Sequence, residues 1–293
     1  MRTLVAALAA ALVLAAPAPA AVTAATAPTR AVRVGEVRVA YRSIGHGRPL
    51  VMVMGLSGTM DAWPPSFVDA LARGGHRVIL FDNQGVARST AQPGRLSIRR
   101  MADTTAGLIR RLGLRRPDLA GWSMGGMIAQ SMLVRHPALV RRAALLATAP
   151  GDGYLAQPDP AAIGSLTTGD PSALLSLLFG SAAPASATAD YVTDLAKRKG
   201  FMPTTTGEWR AQQAAACAVW LGGRDRDGDG IATLRLPVLV AGGREDPLLP
   251  IGNQIHIAQT IPRAVWVAYP GAAHGFFVQE AADFAPRLLR FLR

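Results

Sequence analysis

The sequence predicts an α/β fold, a mostly parallel twisted sheet with helices on both faces, and three observations carry that prediction. Short β-branched or apolar runs recur along the chain at residues 32–40, 50–54, 78–81, 118–121, 143–147, 238–241 and 264–268. Stretches with helical spacing of apolar residues fall between them, the alternation expected of parallel strands joined by crossover helices. Several of these runs end in glycine- or proline-containing loops with a nucleophilic or titratable side chain, the place where open α/β sheets gather functional groups.

In chain order, Arg2 and the uncharged apolar run 4–16, followed by Ala18-Pro19-Ala20, have the form of a secretory signal peptide over 1–20. The run is shorter than the roughly 20 residues of a spanning helix. The expected product is a secreted protein cleaved near Ala20, with no membrane span after cleavage. Residues 21–31 read as a flexible leader poor in core-forming side chains. The core is expected over 32–149 and 236–293. Within it, residues 97–112 carry Ser97 as a candidate N-cap, with Ile98, Met101, Leu108 and Leu112 along one face. Residues 124–136 form a second helix, and 278–292 close the chain with Phe284, Leu288 and Leu292 on the buried side.

Between 150 and 235 the composition shifts to Ala, Ser, Thr, Pro and Gly, with helical islands at 172–179, 187–198 and 208–220. This segment interrupts the sheet alternation. Trp209, Trp220, Phe179, Leu177 and Met202 are its candidate pocket-lining residues, with ordinary core packing as the competing reading.

Gly121-Trp122-Ser123-Met124-Gly125 falls between a short strand and a helix. A Gly-x-Ser-x-Gly there forces a sharp turn that presents the serine oxygen outward, so Ser123 is the candidate nucleophile. Glycines two positions to either side leave room for the tight backbone. The run 238–241 leads into Gly242-Gly243-Arg244-Glu245-Asp246-Pro247, and the run 264–268 leads into Pro270-Gly271-Ala272-Ala273-His274. The chain therefore offers serine, acid and histidine in that order, with Asp246 assigned as the acid and His274 as the base. Glu245 and Asp152 are the competing acids. An imidazole base implies activity that falls as pH drops through the ordinary histidine range.

Taken together, the strand-rich opening 32–45, the turn Met54-Gly55-Leu56-Ser57-Gly58, the segment from Asp82 to Ser89, the Ser123 elbow and the two later loops resemble the α/β-hydrolase superfamily. The resemblance is to its Ser-nucleophile, esterase/lipase/perhydrolase-like branch, from about residue 32 to the C-terminus. It implies an oxyanion hole from the backbone N–H groups of Leu56 and Met124, and a helical cap at 150–235 inserted before the last core strands. Two features depart from the commoner pattern. Met54-Gly55 stands where many relatives have His-Gly, and Gln84 and Ala87 occupy two usual positions of the Asp82 segment, which reads as structural.

The activity this implies is hydrolysis of a carboxylic ester or related acyl bond through an acyl-enzyme on Ser123, with a small-molecule acyl substrate and no cofactor. Perhydrolase or haloperoxidase-like chemistry is an alternative. So is an aminopeptidase-type hydrolase, whose mark would be carboxylates such as Asp190, Asp194 or Glu208 beneath the cap. A ligand-binding protein on the same scaffold is the non-enzymatic alternative.

Other features exclude partners. His46, His76, His136 and His256 lack metal-ligand spacing. Asp225-Arg226-Asp227-Gly228-Asp229-Gly230 resembles the start of a calcium loop but has Leu236 where a glutamate ligand belongs. Cys217 is the only cysteine, so no intramolecular disulfide forms, and it reads as a buried thiol. The net charge of +12 comes with arginines scattered over 73–142 and the C-terminal helix, without the aromatic interleaving of a nucleic-acid surface. In sequence it reads as a property of solubility and adsorption. The oligomeric state is open.

Overall fold

The computed structural model describes residues 22–168, 171–202 and 207–293. The signal-peptide reading over 1–20 lies outside these residues. Eight strands form one sheet: β1 Arg30–Val34, β2 Val37–Ile44, β3 Arg48–Val53, β4 His76–Phe81, β5 Asp118–Trp122, β6 Ala143–Leu146, β7 Val238–Gly243 and β8 Ala264–Tyr269. Their order across the sheet is β1-β2-β4-β3-β5-β6-β7-β8. β1 and β2 are antiparallel, and the remaining neighbours are parallel, in register through Val51↔Leu119, Leu119↔Ala143, Ala143↔Val238 and Val238↔Ala264. The single strand expected at 32–40 is instead a hairpin, because Gly35 takes a left-handed φ of 57° and turns the chain back.

Helices cover both faces, and alternate strand residues feed two separate cores. Val51, Val53, Leu119 and Leu145 pack with residues of α2 (Ile98–Arg111), α3 (Met124–Arg135) and α8 (Gly252–Thr260). Leu50, Met52, Ala120 and Ala144 pack with residues of α1 (Pro65–Arg73), α9 (Phe276–Gln279) and α10 (Ala281–Phe291). β5, β6 and β7 are buried along their whole length, which explains why their sequences are continuous apolar runs. Ser97 caps α2 by accepting from the Arg100 amide at 3.1 Å. The closing helix expected at 278–292 is two pieces, parted at Glu280, whose backbone (φ −105°, ψ 26°) is not helical.

Between β6 and β7 the chain leaves the sheet and forms α4 (Pro160–Thr168), α5 (Pro171–Ser176), α6 (Ala187–Ala196) and α7 (Glu208–Leu221). α4 lies outside the expected helical islands, and Gly164 with Thr167 and Thr168 weakens the helical signal of its sequence. The leader also differs from its reading. Ala27 is fully buried, the Ala24 amide donates to Asp69 at 2.7 Å, and Arg198 donates to the Ala27 carbonyl at 2.9 Å. Hydrogen bonds to main-chain groups of an alanine-rich stretch leave no trace in side-chain composition.

Candidate active site

Ser123 ends β5 in a left-handed conformation, φ 57° and ψ −124°, immediately before α3. Such a conformation costs a residue with a side chain of order 1–3 kcal/mol and persists only where the surroundings hold it. Here the Ser123 amide donates to Leu146 O at 2.9 Å, and Thr148 Oγ1 donates to Ser123 O at 2.8 Å. The flanking glycines are steric requirements. A Cβ on Gly121 would lie 2.2 Å from Gly125 O, and one on Gly125 would lie 2.1 Å from Val53 O. Met124 opens α3, so its N–H has no acceptor within the helix and sits at the positive end of the helix dipole.

His274 and Asp246 come from the loops after β8 and β7. Both are buried, at 4% and 3% exposure, and His274 Nδ1 lies 2.7 Å from Asp246 Oδ2. The other carboxylate oxygen of Asp246 accepts the amides of Leu248 and Leu249 at 2.9 and 3.0 Å, which fixes its orientation. Trp122 Nε1 donates to the His274 carbonyl at 3.0 Å, and the two rings lie 5.3 Å apart. The competing acids are committed elsewhere. Glu245 accepts from the Ser181 hydroxyl and amide, both at 2.6 Å. Asp152 pairs with His256 at 2.7 Å.

Ser123, His274, Leu56 and Met124 all line one cavity of about 440 Å³, within the size range of small-molecule sites. The rest of its wall is mostly hydrocarbon, including Met127, Ile163, Leu174, Leu221 and Leu249. Among the described residues no charged side chain lines it. Trp122, Tyr191 and Cys217 carry its remaining polar groups; the indole N–H is spent on His274 O, the tyrosine hydroxyl donates to Ala62 O at 2.9 Å, and burial pushes the Cys217 thiol up to about 12. Of the five side chains proposed for lining, only Leu177 faces this space. Phe179 borders a smaller cavity, Trp220 is buried with its Nε1 on Ala149 O, Trp209 lies against Gly85, and Met202 is 42% exposed. Large aromatic residues drew attention by size, whereas the lining comes from branched aliphatics spread over α4, α5 and α7.

The Met54–Gly58 turn is braced from three sides. Asn83 Nδ2 donates to Met54 O at 3.2 Å, and Asp82 accepts the Met60 amide at 2.8 Å, so the 82–89 segment supports this turn. The third brace was not visible in sequence. Ser57, at φ 57°, donates its amide to Gln213 Oε1 at 2.7 Å, and Gln213 is a fully buried residue of α7. A helix inserted between β6 and β7 thus holds the residue next to Leu56. A glutamine in an alanine-rich helix, 156 residues downstream, offered no signal for this contact.

A buried ion cluster ties the same turn to its surroundings. Asp61 pairs with Arg42, with Arg88 at 2.7 Å and with Arg198 at 3.3 Å, and it accepts the Met202 amide at 3.0 Å. Burial pushes the Asp61 carboxyl up, but the hydrogen bonds and charges of Arg42 and Arg88 outweigh it and hold the group below the ordinary carboxylate value. Asp82 moves the other way, raised by burial against the amides of Met60 and Arg88. Asp227, from the calcium-like run, accepts the Ser131 hydroxyl at 2.6 Å. The aminopeptidase carboxylates lie off the cavity wall. Asp194 binds Ser66 and Lys197, Glu208 accepts from Gln212, and Asp190 borders the smaller cavity.

Comparison with known proteins agrees with this architecture. Residues 48–281 match the family described as alpha/beta hydrolase fold. A putative non-heme bromoperoxidase, BpoC of Mycobacterium tuberculosis, is 38% identical over 112 residues, 38% of this chain and 42% of that relative, so the chain matches less than half of that protein. The putative carbamate hydrolase RutD of Azorhizobium caulinodans is 27% identical over 88% of this chain and 96% of its own length. An alpha/beta hydrolase fold protein from Chitinophaga pinensis superposes with a TM-score of 0.79 at 28% identity, covering 92% of this chain and 98% of that one. The chain belongs to the alpha/beta hydrolase fold family, and that membership supports hydrolase activity.

Proposed function

We propose that this chain is a secreted serine hydrolase that cleaves an uncharged, apolar carboxylic ester through an acyl-enzyme on Ser123. One observation carries the reading. A serine held in a left-handed turn and a histidine backed by a carboxylate at 2.7 Å share the wall of a mostly hydrocarbon cavity. In the proposed reaction His274 Nε2 takes the hydroxyl proton as Ser123 Oγ attacks the ester carbonyl. Asp246 holds the imidazole by Nδ1 and stabilises the imidazolium. The Leu56 and Met124 N–H groups receive the charge that develops on the carbonyl oxygen. As the tetrahedral species collapses, the proton passes from His274 to the departing alkoxide. Water, deprotonated by the same imidazole, then attacks the acyl-enzyme and releases the acid and Ser123.

The lining favours an apolar acyl group, because a carboxylate or ammonium on the substrate meets no opposite charge among the described wall residues. A peptidase acting on a free amino terminus lacks its counter-ion for the same reason. Secretion rests on the sequence of residues 1–20. Similarity to a putative non-heme bromoperoxidase gives one second reading, in which hydrogen peroxide replaces water at the acyl-enzyme. A panel of p-nitrophenyl esters tests the proposal: kcat/KM is expected to rise from acetate to medium-chain esters and to collapse for succinyl monoesters. Equal turnover of the charged and uncharged esters contradicts it. Peracid formation exceeding hydrolysis when peroxide is supplied favours the second reading.

A further inference from the structure

The arginines scattered in sequence converge on one end of the molecule. Strands β3 to β8 all begin at that end, level with one another by register. Arg48 and Arg77 stand at the starts of β3 and β4, Arg115 and Arg116 just before β5, Arg235 before β7 and Arg263 before β8. Helices packed antiparallel to the strands end there too, bringing Arg73 of α1, Arg110 and Arg111 of α2, and Arg290 of α10. Arg293 joins them, since Arg141 donates to its carbonyl at 3.1 Å, with its α-carboxylate offsetting one of these charges. All of these but Arg77 and Arg141 are exposed.

Among the described residues, carboxylates are scarce at this end. Asp118 at the start of β5 is fully buried and is clasped by Arg141 at 2.8 Å. Asp69, one turn before Arg73 on α1, accepts the Ala24 amide at 2.7 Å; Asp103 of α2 and Asp227 are paired with Arg135, and Asp229 is exposed in the turn before β7. Ser123, Asp246 and His274 follow the C-terminal ends of β5, β7 and β8, at the opposite end. Helix dipoles account for cations at the ends of α1, α2 and α10. Strands carry no comparable dipole, so Arg48, Arg115, Arg116, Arg235 and Arg263 need another explanation.

We propose that this end is a docking surface for an anionic lipid bilayer. From β4 to β8 the array spans five strand spacings, about 24 Å at about 4.8 Å each. It is a broad end of the sheet, and the exposed large hydrophobic residues include one aromatic, Tyr154, which lies beyond β6 at the other end. A broad basic face with no exposed aromatic side chain among the described residues suits a layer of headgroup phosphates better than a single-stranded nucleic acid, which needs stacking partners. Docking in this way leaves the cavity end facing water. The inference is independent of the role of Ser123.

The test is co-sedimentation of the purified full chain with vesicles of phosphatidylcholine alone or with 30% phosphatidylglycerol, at about 50 and 300 mM NaCl, where screening differs. Binding is expected only to the anionic vesicles and mainly at low salt. Reversing three charges on the face, Arg115→Glu, Arg116→Glu and Arg263→Glu, is expected to weaken partitioning at least about a hundredfold. A control with the same net charge, Arg95→Glu, Arg224→Glu and Arg226→Glu, is expected to retain most of it. Far-UV circular dichroism verifies that each variant is folded. No binding to anionic vesicles at low salt overturns the proposal. So does equal loss in both variants, which makes net charge the cause, and so does tighter binding to duplex DNA than to the vesicles, which makes nucleic acid the partner.

Discussion

Asp246 and His274 stand 28 residues apart in the chain, yet Oδ2 of one lies 2.7 Å from Nδ1 of the other in a buried pair. The adjacent strands β7 and β8 deliver them side by side, and two amides hold the carboxylate in place.

If that pair orients the base, Asp246→Asn is expected to lower kcat by about three to four orders of magnitude with little change in KM, because the amide favours the wrong imidazole tautomer. Steady-state hydrolysis of p-nitrophenyl acetate reads this. Asp152→Asn and Glu245→Gln, whose carboxylates face His256 and Ser181, are expected to stay within a few-fold of the parent. A loss larger in Glu245→Gln than in Asp246→Asn would move the acid.

Gln213 tests whether the helices between β6 and β7 help set the Leu56 turn. Gln213→Leu removes the acceptor of the buried Ser57 amide, leaving it unsatisfied. The expected result is a fall in kcat of about tenfold to a hundredfold, with parallel weakening of a boronic acid that mimics the tetrahedral species and a nearly constant KM. Gln213→Glu keeps an acceptor oxygen and is expected to recover much of the loss. A drop in melting temperature with unchanged kcat assigns Gln213 a purely structural role.

The sheet was legible in sequence because its central strands are buried on both faces and so read as continuous apolar runs. The sharp turn at Ser123 was legible because it demands glycines at 121 and 125, and the loop position of His274 because it follows the run 264–268. Besides the Gln213 brace, α4 and the bonded leader, three features were not legible. Gly35 splits one apparent strand into a hairpin, since a single left-handed residue does not disturb the apolar alternation. The cavity wall depends on which aliphatic side chains α4, α5 and α7 turn inward, and that is decided by tertiary packing. The basic face exists only after the crossovers bring strand starts level, because its residues are separated by dozens of positions in the chain.

Asp61 makes a prediction about stability and pH. Its folded carboxyl sits below the ordinary value, so the stabilisation it supplies is complete above the ordinary carboxylate range and is lost as pH falls through the folded value. Asp61→Asn leaves Arg42, itself 1% exposed, without its charge partner, and is expected to cost about 3–5 kcal/mol at neutral pH. Urea unfolding at pH 7 and pH 3 reads both effects, with the gap between parent and variant narrowing at the lower pH. A variant as stable as the parent at pH 7 contradicts the account.

Cys217 is expected to resist modification. With its thiol pushed up to about 12 by burial, little thiolate exists near pH 8, so iodoacetamide is expected to label it only after unfolding. Rapid labelling of the native protein would show a more open cavity wall than this packing provides.

The central claim, that Ser123 is the nucleophile, is tested most directly by intact-mass analysis after incubation with a fluorophosphonate. The account predicts one adduct per chain, mapped by peptide analysis to Ser123 and absent in Ser123→Ala, with His274→Ala slowing its formation. A folded parent protein that forms no adduct, or one that forms it equally well in Ser123→Ala, contradicts the account.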